Sequence, residues 1–342
     1  MDITTVGIDL AKNVFQVSGA DQHGKIVLRK RLSREELIPF LSNTLPKGCT
    51  IIMEACGGSH YWCRRLDALG HETQLINPRF VKPFVRYQKN DSNDADGIVI
   101  AGTVAGMRFV PKRSVEQQDW QCLHRIRSRL VKQRTSLVNQ VRGLLQEYGI
   151  VVARSVSRLR SRLPEIISND ANELSELSRG TFHELYEELL ELDDKVKHYD
   201  QCIKRLYESD DRCQQLGALR GVGVLTATAI VSSVGDWRVF KNGRHFAAYL
   251  GLVPRQQSSG EKERLLGITK HGNAYIRTLL IHGARTVLQA AHRHPEKQEH
   301  QWALELEKRR NPQKAVVAIA HKQARRIWGI LAGKEPPLLE AA

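Results

Sequence analysis

The stretch TTVGIDL at residues 4–10 decides the fold of this chain. It is apolar and β-branched, a pattern typical of a buried strand, and it carries a carboxylate, Asp9, next to its end. Two more strand-like segments follow after short turns, at residues 14–18 and 25–29. Because short turns join antiparallel neighbours, the three segments predict a three-stranded meander.

Strands and helices alternate after the meander. A capping box at Ser33-Arg34-Glu35-Glu36 predicts a helix to about Leu45, which Pro39 kinks or shortens. The segments that follow are predicted, in order, as strand 50–54, helix 60–69, strand 71–76 and helix 91–107. The resulting order, β-β-β-α-β-α-β-α, is that of the ribonuclease H fold.

The middle of the chain carries two heptad patterns. Leucines recur every seven residues from Leu123 to Leu144, and a cleaner pattern of threes and fours runs from Leu185 to Leu206. Pro164 is expected to interrupt the helix between them. The patterns predict two long helices that form a coiled-coil or hairpin spacer. Amphipathic helices packed on a globular core remain the alternative.

The last third contains a Gly-x-Gly turn and a serine loop. The turn at Arg220, Gly221 and Gly223 resembles a helix-hairpin-helix, whose backbone N–H groups face a phosphate; an ordinary helix-helix turn is the alternative. The loop at 258–260 has basic neighbours, but a serine hydroxyl needs activation to act as a nucleophile. From the residues alone, a polar loop that binds phosphate, or no ligand, is the simpler interpretation. The region from 273 to 331 is predicted to be mostly helical.

The net charge indicates a nucleic-acid partner. The 342 residues include 52 Lys and Arg against 37 Asp and Glu, a formal net charge of +15. The excess lies in two basic blocks, and residues 171–200 between them hold nine acids and three bases. Such a distribution is typical of proteins that contact phosphates, although an ordinary basic surface would look the same. No apolar run is long enough for a membrane helix, no secretory signal is evident, and the six cysteines lack zinc-site spacing. We therefore expect no membrane partner and reduced thiols in a cytoplasm.

Four acids are placed where a metal could bind. Asp9 lies in the first strand, Glu54 ends a strand expected beside it, and Asp91 and Asp94 share one face of a helix start. Such carboxylates can gather around Mg²⁺, which prefers oxygen ligands, and metal ions can clamp a phosphodiester. Asp96 competes for a place but points about 200° around the helix from Asp94. Each acid alone also fits a turn, a salt bridge or a helix cap.

These features together resemble the DEDD transposases, or recombinases, of bacterial insertion sequences of the IS110 type, particularly the IS1111 branch. The matching segments run in order through nearly the whole chain: VGIDLAK at 6–12, MEACG at 53–57, NP at 77–78, KNDSNDA at 89–95, GVG at 221–223, AYLGLVPR at 248–255, SSG at 258–260 and ITKHGN at 268–273.

The resemblance implies a domain organisation and a catalytic site. A RuvC-like domain of the ribonuclease H fold is expected at 1–113, a helical coiled-coil spacer at 114–210 and a mostly helical C-terminal transposase domain at 211–335. The implied catalytic residues, with the four acids as Mg²⁺ ligands, are Asp9, Glu54, Asp91, Asp94 and Ser259, and Ser258 is a neighbouring alternative nucleophile. The residues expected to contact nucleic acid are Arg220, Gly221, Gly223, Arg255, Lys262, Arg264 and Lys270.

The resemblance also implies how such a protein works. The serine would attack double-stranded DNA at element and target sites through a covalent phosphoserine, guided by a bridge RNA that the element encodes. The acids and the serine would come from different subunits of a homo-oligomer, up to a tetramer, near the bacterial nucleoid. Two other functions remain: a RuvC-like nuclease or junction resolvase that uses metal-activated water, and a non-enzymatic nucleic-acid-binding protein. The four intact acids argue against the second of these.

Overall fold

The computed structural model describes residues 2–85, 91–259 and 264–335. Contacts divide the chain into two compact units. The first comprises Met1–Val115 with Val234–Phe240 and contains a mixed sheet; the second comprises Glu116–Ser233 with Lys241–Ala342 and is mostly helical. The predicted class, α/β at the N-terminus followed by a mostly helical region, is confirmed.

The first unit is built on a six-stranded sheet in the order β3-β2-β1-β4-β5-β6. The strands are β1 (Thr5–Leu10), β2 (Val14–Ala20), β3 (Ile26–Ser33), β4 (Thr50–Glu54), β5 (Glu72–Ile76) and β6 (Phe109–Val110). The first three form the predicted antiparallel meander, β4 and β5 run parallel to β1, and β6 returns antiparallel to β5. The sheet therefore brings the carboxyl ends of β1, β4 and β5 to one edge.

Helices pack on both faces of this sheet. They are α1 (Leu37–Thr44), α2 (Ser59–Asp67), α3 (Pro78–Val81), which continues into a 3-10 turn at Lys82–Phe84, and α4 (Asp91–Thr103). The predicted capping box forms before α1, because Ser33 N–H donates to Glu36 Oε2 and Glu36 N–H donates to Ser33 Oγ. Ile8 and Met53 lie in the larger core, whereas Ile52 joins a second cluster with Ile98 of α4. Alternate residues of β1 and β4 thus point to opposite faces.

Two glycines allow α4 to lie close to the sheet. A Cβ on Gly7 would lie 2.6 Å from the carbonyl oxygen of Ala95 and 2.7 Å from Val99 Cγ2. A Cβ on Gly102 would lie 2.1 Å from Ile52 Cδ1. Only a residue without a side chain fits at such an approach. The α4 helix therefore crosses the face of β1 and β4 that carries Gly7 and Ile52.

The second unit begins with two long antiparallel helices. Its first helices are α5 (Val115–Gln146), α6 (Val156–Ser168) and α7 (Glu176–Ser209). Arg134 of α5 and Arg160 of α6 both pair with Asp193 of α7, and Tyr148 hydrogen-bonds Ser178 at the far end. One buried cluster contains leucines of all three helices. The middle of the first heptad pattern, Leu130 and Leu137, therefore packs within the chain, whereas Leu144 at its end is exposed.

The prediction that Pro164 interrupts the helix is wrong. Pro164 lies inside α6, which continues to Ser168. Proline removes one backbone hydrogen bond there, but Leu163 and Ile166 on either side are buried in the cluster shared with α5 and α7. Tertiary burial therefore outweighs the local cost.

Shorter helices and a hairpin complete the second unit. They are α8 (Asp211–Gly217), α9 (Val224–Ser233), α10 (Gly243–Tyr249), β7 (Pro254–Gln256), β8 (Leu265–Ile268), α11 (Ala274–Arg293), α12 (Gln298–Arg309) and α13 (Pro312–Leu331). A 3-10 turn at Trp237–Val239 falls in the segment assigned to the first unit. The six cysteines are free thiols, as expected. Within the described ranges, no helix has the length and apolar character needed to span a membrane.

Candidate active site and nucleic-acid interface

Asp9 and Glu54 lie side by side at the carboxyl ends of neighbouring strands. The parallel register pairs Gly7 with Ile52 and Ile8 with Met53, so Asp9 and Glu54 occupy the next position. Because side chains alternate along a strand, these acids share the face that carries Gly7 and Ile52. This is the face on which α4 packs, and both acids are half-buried there.

Asp94 in the first turn of α4 completes a group of three carboxylates. Burial raises the pKa of Glu54 above its ordinary value, and the nearby charges of Asp9 and Asp94 raise it further. The charges of Asp9 and Asp94 thus disfavour the ionised form of Glu54. A cation among them would relieve this repulsion and favour their ionised forms.

The fourth predicted acid, Asp91, is the first residue of α4, but its side chain lies outside the described part of the structure. Among the described side chains, no group of three or more His, Cys, Asp or Glu is already arranged to hold a metal ion. The donor set nevertheless suits Mg²⁺ chemically, since Asp9, Glu54 and Asp94 offer only carboxylate oxygens. Asp9 and Glu54 lie next to each other at the ends of neighbouring strands, a position where a cation could contact both.

Asp96 belongs to a different interaction. Ser18 Oγ donates a hydrogen bond of 2.6 Å to Asp96 Oδ1, and Arg29 Nη2 pairs with Asp96 Oδ2 at 2.9 Å. Both partners lie on the antiparallel strands β2 and β3. Asp96 therefore pairs with side chains of β2 and β3 and not with the other acids. This agrees with the prediction that Asp94 and Asp96 point to different sides of the helix.

The predicted serine loop connects β7 and β8 in the second unit. Ser258 and Ser259 are both exposed, and Gly260 and Lys262 lie outside the described residues. The Ser258 hydroxyl accepts hydrogen bonds from Gln256 Nε2 at 2.9 Å and from the Arg264 N–H at 3.4 Å. The hydroxyl of Ser258 is thus part of the hairpin's own hydrogen bonding, and Ser259 follows it at the end of the described segment.

The base of this hairpin is held by close backbone packing. A Cβ on Gly251 would lie 2.1 Å from the carbonyl oxygen of His271, and one on Gly272 would lie 1.9 Å from that of Tyr249. Arg277 adds a brace, because its Nη1 donates to the carbonyl oxygens of Leu250 at 3.0 Å and His271 at 3.2 Å. Sequence analysis missed Arg277, since nothing local distinguishes it from the other surface arginines.

Exposed basic side chains surround the serine hairpin. Arg255 lies in β7, Arg264 directly precedes β8, and Lys270 follows β8 with a left-handed backbone at φ 55°. The structure thus brings three of the predicted phosphate contacts onto one hairpin with Ser259. These side chains are exposed to solvent, so a nucleic-acid backbone can contact them directly.

The Gly-x-Gly turn between α8 and α9 faces partly inwards. Gly221 has φ 78°, and a Cβ there would lie 2.5 Å from Gln323 Nε2 and 2.6 Å from the Gly283 carbonyl oxygen. Gln323 Nε2 also donates to the carbonyl oxygen of Arg220 at 2.7 Å. Gly223 is exposed at the start of α9. Gly221 therefore serves the packing of the turn on α11 and α13, and Gly223 is the glycine on the surface side.

Comparison with known proteins identifies the family of this chain. A DEDD transposase model for IS110 matches residues 6–150, and the model of the "Transposase IS116/IS110/IS902 family" matches residues 213–301. The transposase for insertion sequence element IS1111A of Coxiella burnetii is 44% identical over 334 residues, covering 98% of this chain and 91% of the relative. The chain belongs to the IS116/IS110/IS902 family of transposases.

Two further relatives extend over the same length. A probable family 20 transposase of Pseudomonas aeruginosa is 42% identical over 97% of both chains. A putative transposase of Sinorhizobium fredii is 37% identical over 97% of this chain and 85% of its own. The prediction of a DNA transposase of an insertion sequence is confirmed, and the non-enzymatic alternative is set aside.

The two family models match different units of the transposase. The DEDD model spans the positions of Asp9, Glu54, Asp91 and Asp94, and the second model spans the turn at Gly221 and the serine hairpin. The acids thus belong to the sheet-containing unit of the transposase and the serine to its helical unit.

Proposed function

We propose that this transposase cuts and rejoins DNA through a composite site. Asp9, Glu54, Asp91 and Asp94 would hold Mg²⁺, and Ser259 would attack the phosphodiester. The observation that carries the proposal is the parallel register that sets Asp9 beside Glu54, on the face of the sheet covered by the helix that begins at Asp91. A fold that keeps like charges together at a strand edge suits a bound cation.

The first unit supports the assignment of a RuvC-like domain with the ribonuclease H fold. Its sheet has the order β3-β2-β1-β4-β5, with a meander followed by parallel strands and a helix crossing the acids. We further propose the division into residues 1–113, 114–210 and 211–335, with α5 and α7 as the coiled-coil spacer. The ion pairs that join these antiparallel helices support that role.

Each group of the chain would have a defined task. Mg²⁺, when bound, would supply positive charge beside the scissile phosphate and so stabilise the charge that develops in the transition state. Arg255, Arg264 and Lys270 would hold the flanking phosphates, and Gly223 with Arg220 would contact the DNA backbone at the α9 turn. Lys262 belongs to the same group by its position in the sequence.

The serine step is an exchange of esters. Ser259 Oγ forms a bond to phosphorus while the bond from phosphorus to a deoxyribose oxygen breaks. The serine loses its proton and the departing oxygen gains one, so no oxidant or other co-reactant is needed. Attack by a second strand end on the phosphoserine reverses the exchange and rejoins DNA. The engagement of Ser258 within the hairpin favours Ser259 over Ser258 as the nucleophile.

We infer that the working form is a homo-oligomer, a dimer to a tetramer, in which the acids and the serine come from different subunits. An element-encoded bridge RNA would select the element and target duplexes on the bacterial nucleoid. The exposed basic hairpin and the net charge of +15 support binding to nucleic acid of either kind.

A suicide DNA substrate tests the serine. The wild-type protein with Mg²⁺ should trap a covalent protein–DNA adduct, and Ser258→Ala should keep forming it. Ser259→Ala should form none, although it should still bind the same DNA. An adduct in Ser259→Ala would refute the nucleophile, and cleavage by the wild type without any adduct would favour the nuclease that uses metal-activated water.

A further inference from the structure

A cleft of about 1340 Å³ opens beside the serine hairpin, within the second unit. One wall is β8, from Leu265 to Ile268, and the other walls are α12 and α13. Because β8 pairs directly with β7, the cleft begins one strand away from the segment that carries Ser259. Of its lining residues, the composite site described above uses Lys270 alone.

The walls of the cleft are strongly basic. Among the described residues that line it, six are Lys or Arg and one is an acid, Glu335. Four of the six lie on α13, at Lys314, Lys322, Arg325 and Arg326, so they form a row along one helix. Glu335 Oε2 lies 3.9 Å from Arg326 Nε, and this single carboxylate offsets only part of the positive charge. A row of cations on a rigid helix suits a run of phosphates.

The floor of the cleft is apolar and contains an exposed aromatic ring. Trp302 of α12 is 37% exposed and stands one helical turn before Leu306, with Val317 of α13 also lining the cleft. Lys322 Nζ lies 4.1 Å from the centroid of the Trp302 ring. Lys322 thus covers one face of the indole, and a base that stacks on the other face would place its phosphate near this cation.

This combination fits an unpaired strand better than a duplex. In duplex DNA the bases are stacked inside and only phosphates and groove edges face a protein, so an apolar floor would have no partner. In an unpaired strand the base faces are accessible for stacking. We infer that the cleft binds an unpaired stretch of DNA next to the cut site, with one base against Trp302 and its phosphates along α13. That the strand is DNA, and that it lies next to the cut site, rests on the proposed function. The preference for unpaired bases rests on the cleft alone.

Binding measured without chemistry tests this inference. The full chain carrying Ser259→Ala is titrated by fluorescence anisotropy against a labelled single strand of DNA, its duplex, the same strand with abasic positions, and RNA of the same sequence. Adding Trp302→Ala should weaken binding of the single strand by roughly 5- to 150-fold, the usual effect of losing one stacked base. Duplex and abasic DNA should change less than about twofold, and Trp302→Phe should retain most of the affinity because it keeps an aromatic face.

The lysines supply a matched pair of controls. Lys322 and Lys334 each lie over a tryptophan, at 4.1 Å from Trp302 and 4.9 Å from Trp328, but only Lys322 lines the cleft. Lys322→Ala should lower the slope of log affinity against log salt by about 1, whereas Lys334→Ala should leave it unchanged. Thermal denaturation confirms that each variant is folded.

Three results would overturn the inference: equal losses for single strand and duplex in Trp302→Ala, no loss for either, or tighter binding of RNA than of DNA through Trp302. None of these depends on cleavage. If Ser259 is not the nucleophile, the adduct experiment fails while the binding preference stands, so the two proposals can fail separately.

Discussion

Replacing Gly7 with alanine should push α4 away from β1 and so separate Asp94 from Asp9 and Glu54. The new Cβ would meet the carbonyl oxygen of Ala95 at 2.6 Å, about 0.8 Å short of the 3.4 Å at which ordinary contacts begin. The obstacle is backbone within a helix, and the side-chain contact at Val99 is equally tight at 2.7 Å. Rotation of a single side chain therefore cannot relieve it, and the helix itself has to move.

The size of the effect follows from this geometry. Overpacking of this kind lowers the free energy of unfolding by about 1–3 kcal/mol or more. Alanine has less conformational entropy than glycine in the unfolded chain, and this offsets less than about 1 kcal/mol of the loss. We expect a net loss of about 2 kcal/mol in the free energy of unfolding, or roughly 6–12 °C in Tm for a unit of this size. A displacement of about 1 Å among reacting groups can also reduce the rate about 100-fold. Cleavage should therefore fall by much more than the loss of stability at the assay temperature explains.

Gly57 provides the matched control. It follows Glu54 by three residues and is exposed, and no described atom lies within 4 Å of a Cβ built on it. Thermal denaturation and the suicide-substrate assay are run on Gly7→Ala, Gly57→Ala and the wild type. Gly57→Ala should match the wild type in both. If Gly7→Ala has the Tm and the adduct yield of Gly57→Ala, the close approach of α4 does not position the acids.

Two further predictions concern charge. Asp94→Asn should lower adduct formation at least ~100-fold and leave the Tm unchanged or raised. Asp96→Asn should keep adduct formation within a few-fold. It should lower the free energy of unfolding by roughly 1–2 kcal/mol, because the ion pair with Arg29 is lost. If Asp96→Asn loses more adduct formation than Asp94→Asn on the same substrate, the face of α4 that carries Asp94 is not the catalytic one. Removal of Mg²⁺ with EDTA should abolish the adduct but change DNA affinity less than about fivefold, since the basic hairpin is remote in sequence from the acids; adduct formation in EDTA would exclude the metal role.

The sheet could be predicted because its signals are local. The apolar, β-branched runs in β1 and β4 each fix a strand within a few residues. Their parallel pairing then places Asp9 beside Glu54, since the structure joins Ile8 to Met53 in register. The helical period likewise separates Asp94 from Asp96 around α4, because their spacing of two residues turns them to different faces.

Features that depend on distant partners could not be predicted in this way. The inward orientation of Gly221 is set by Gly283 and Gln323, which lie far along the chain. The continuity of α6 through Pro164 depends on a core shared with α5 and α7. The β7–β8 hairpin is short and largely exposed, so it lacks the alternation that marks a half-buried strand.

The different surroundings of two acids on one helix favour a cation role for the cluster. Asp96 has a neutralising arginine and a serine donor supplied by β2 and β3, so the fold can compensate a carboxylate on α4 with its own groups. Two residues earlier on the same helix, the charge of Asp94 acts instead on Glu54, whose pKa is raised mainly by burial and further by repulsion from Asp9 and Asp94. The glycine at position 7 lets the helix come close enough to increase that repulsion. If the acids hold a cation beside a phosphate, as proposed above, an arrangement of like charges that opposes stability is expected at this site.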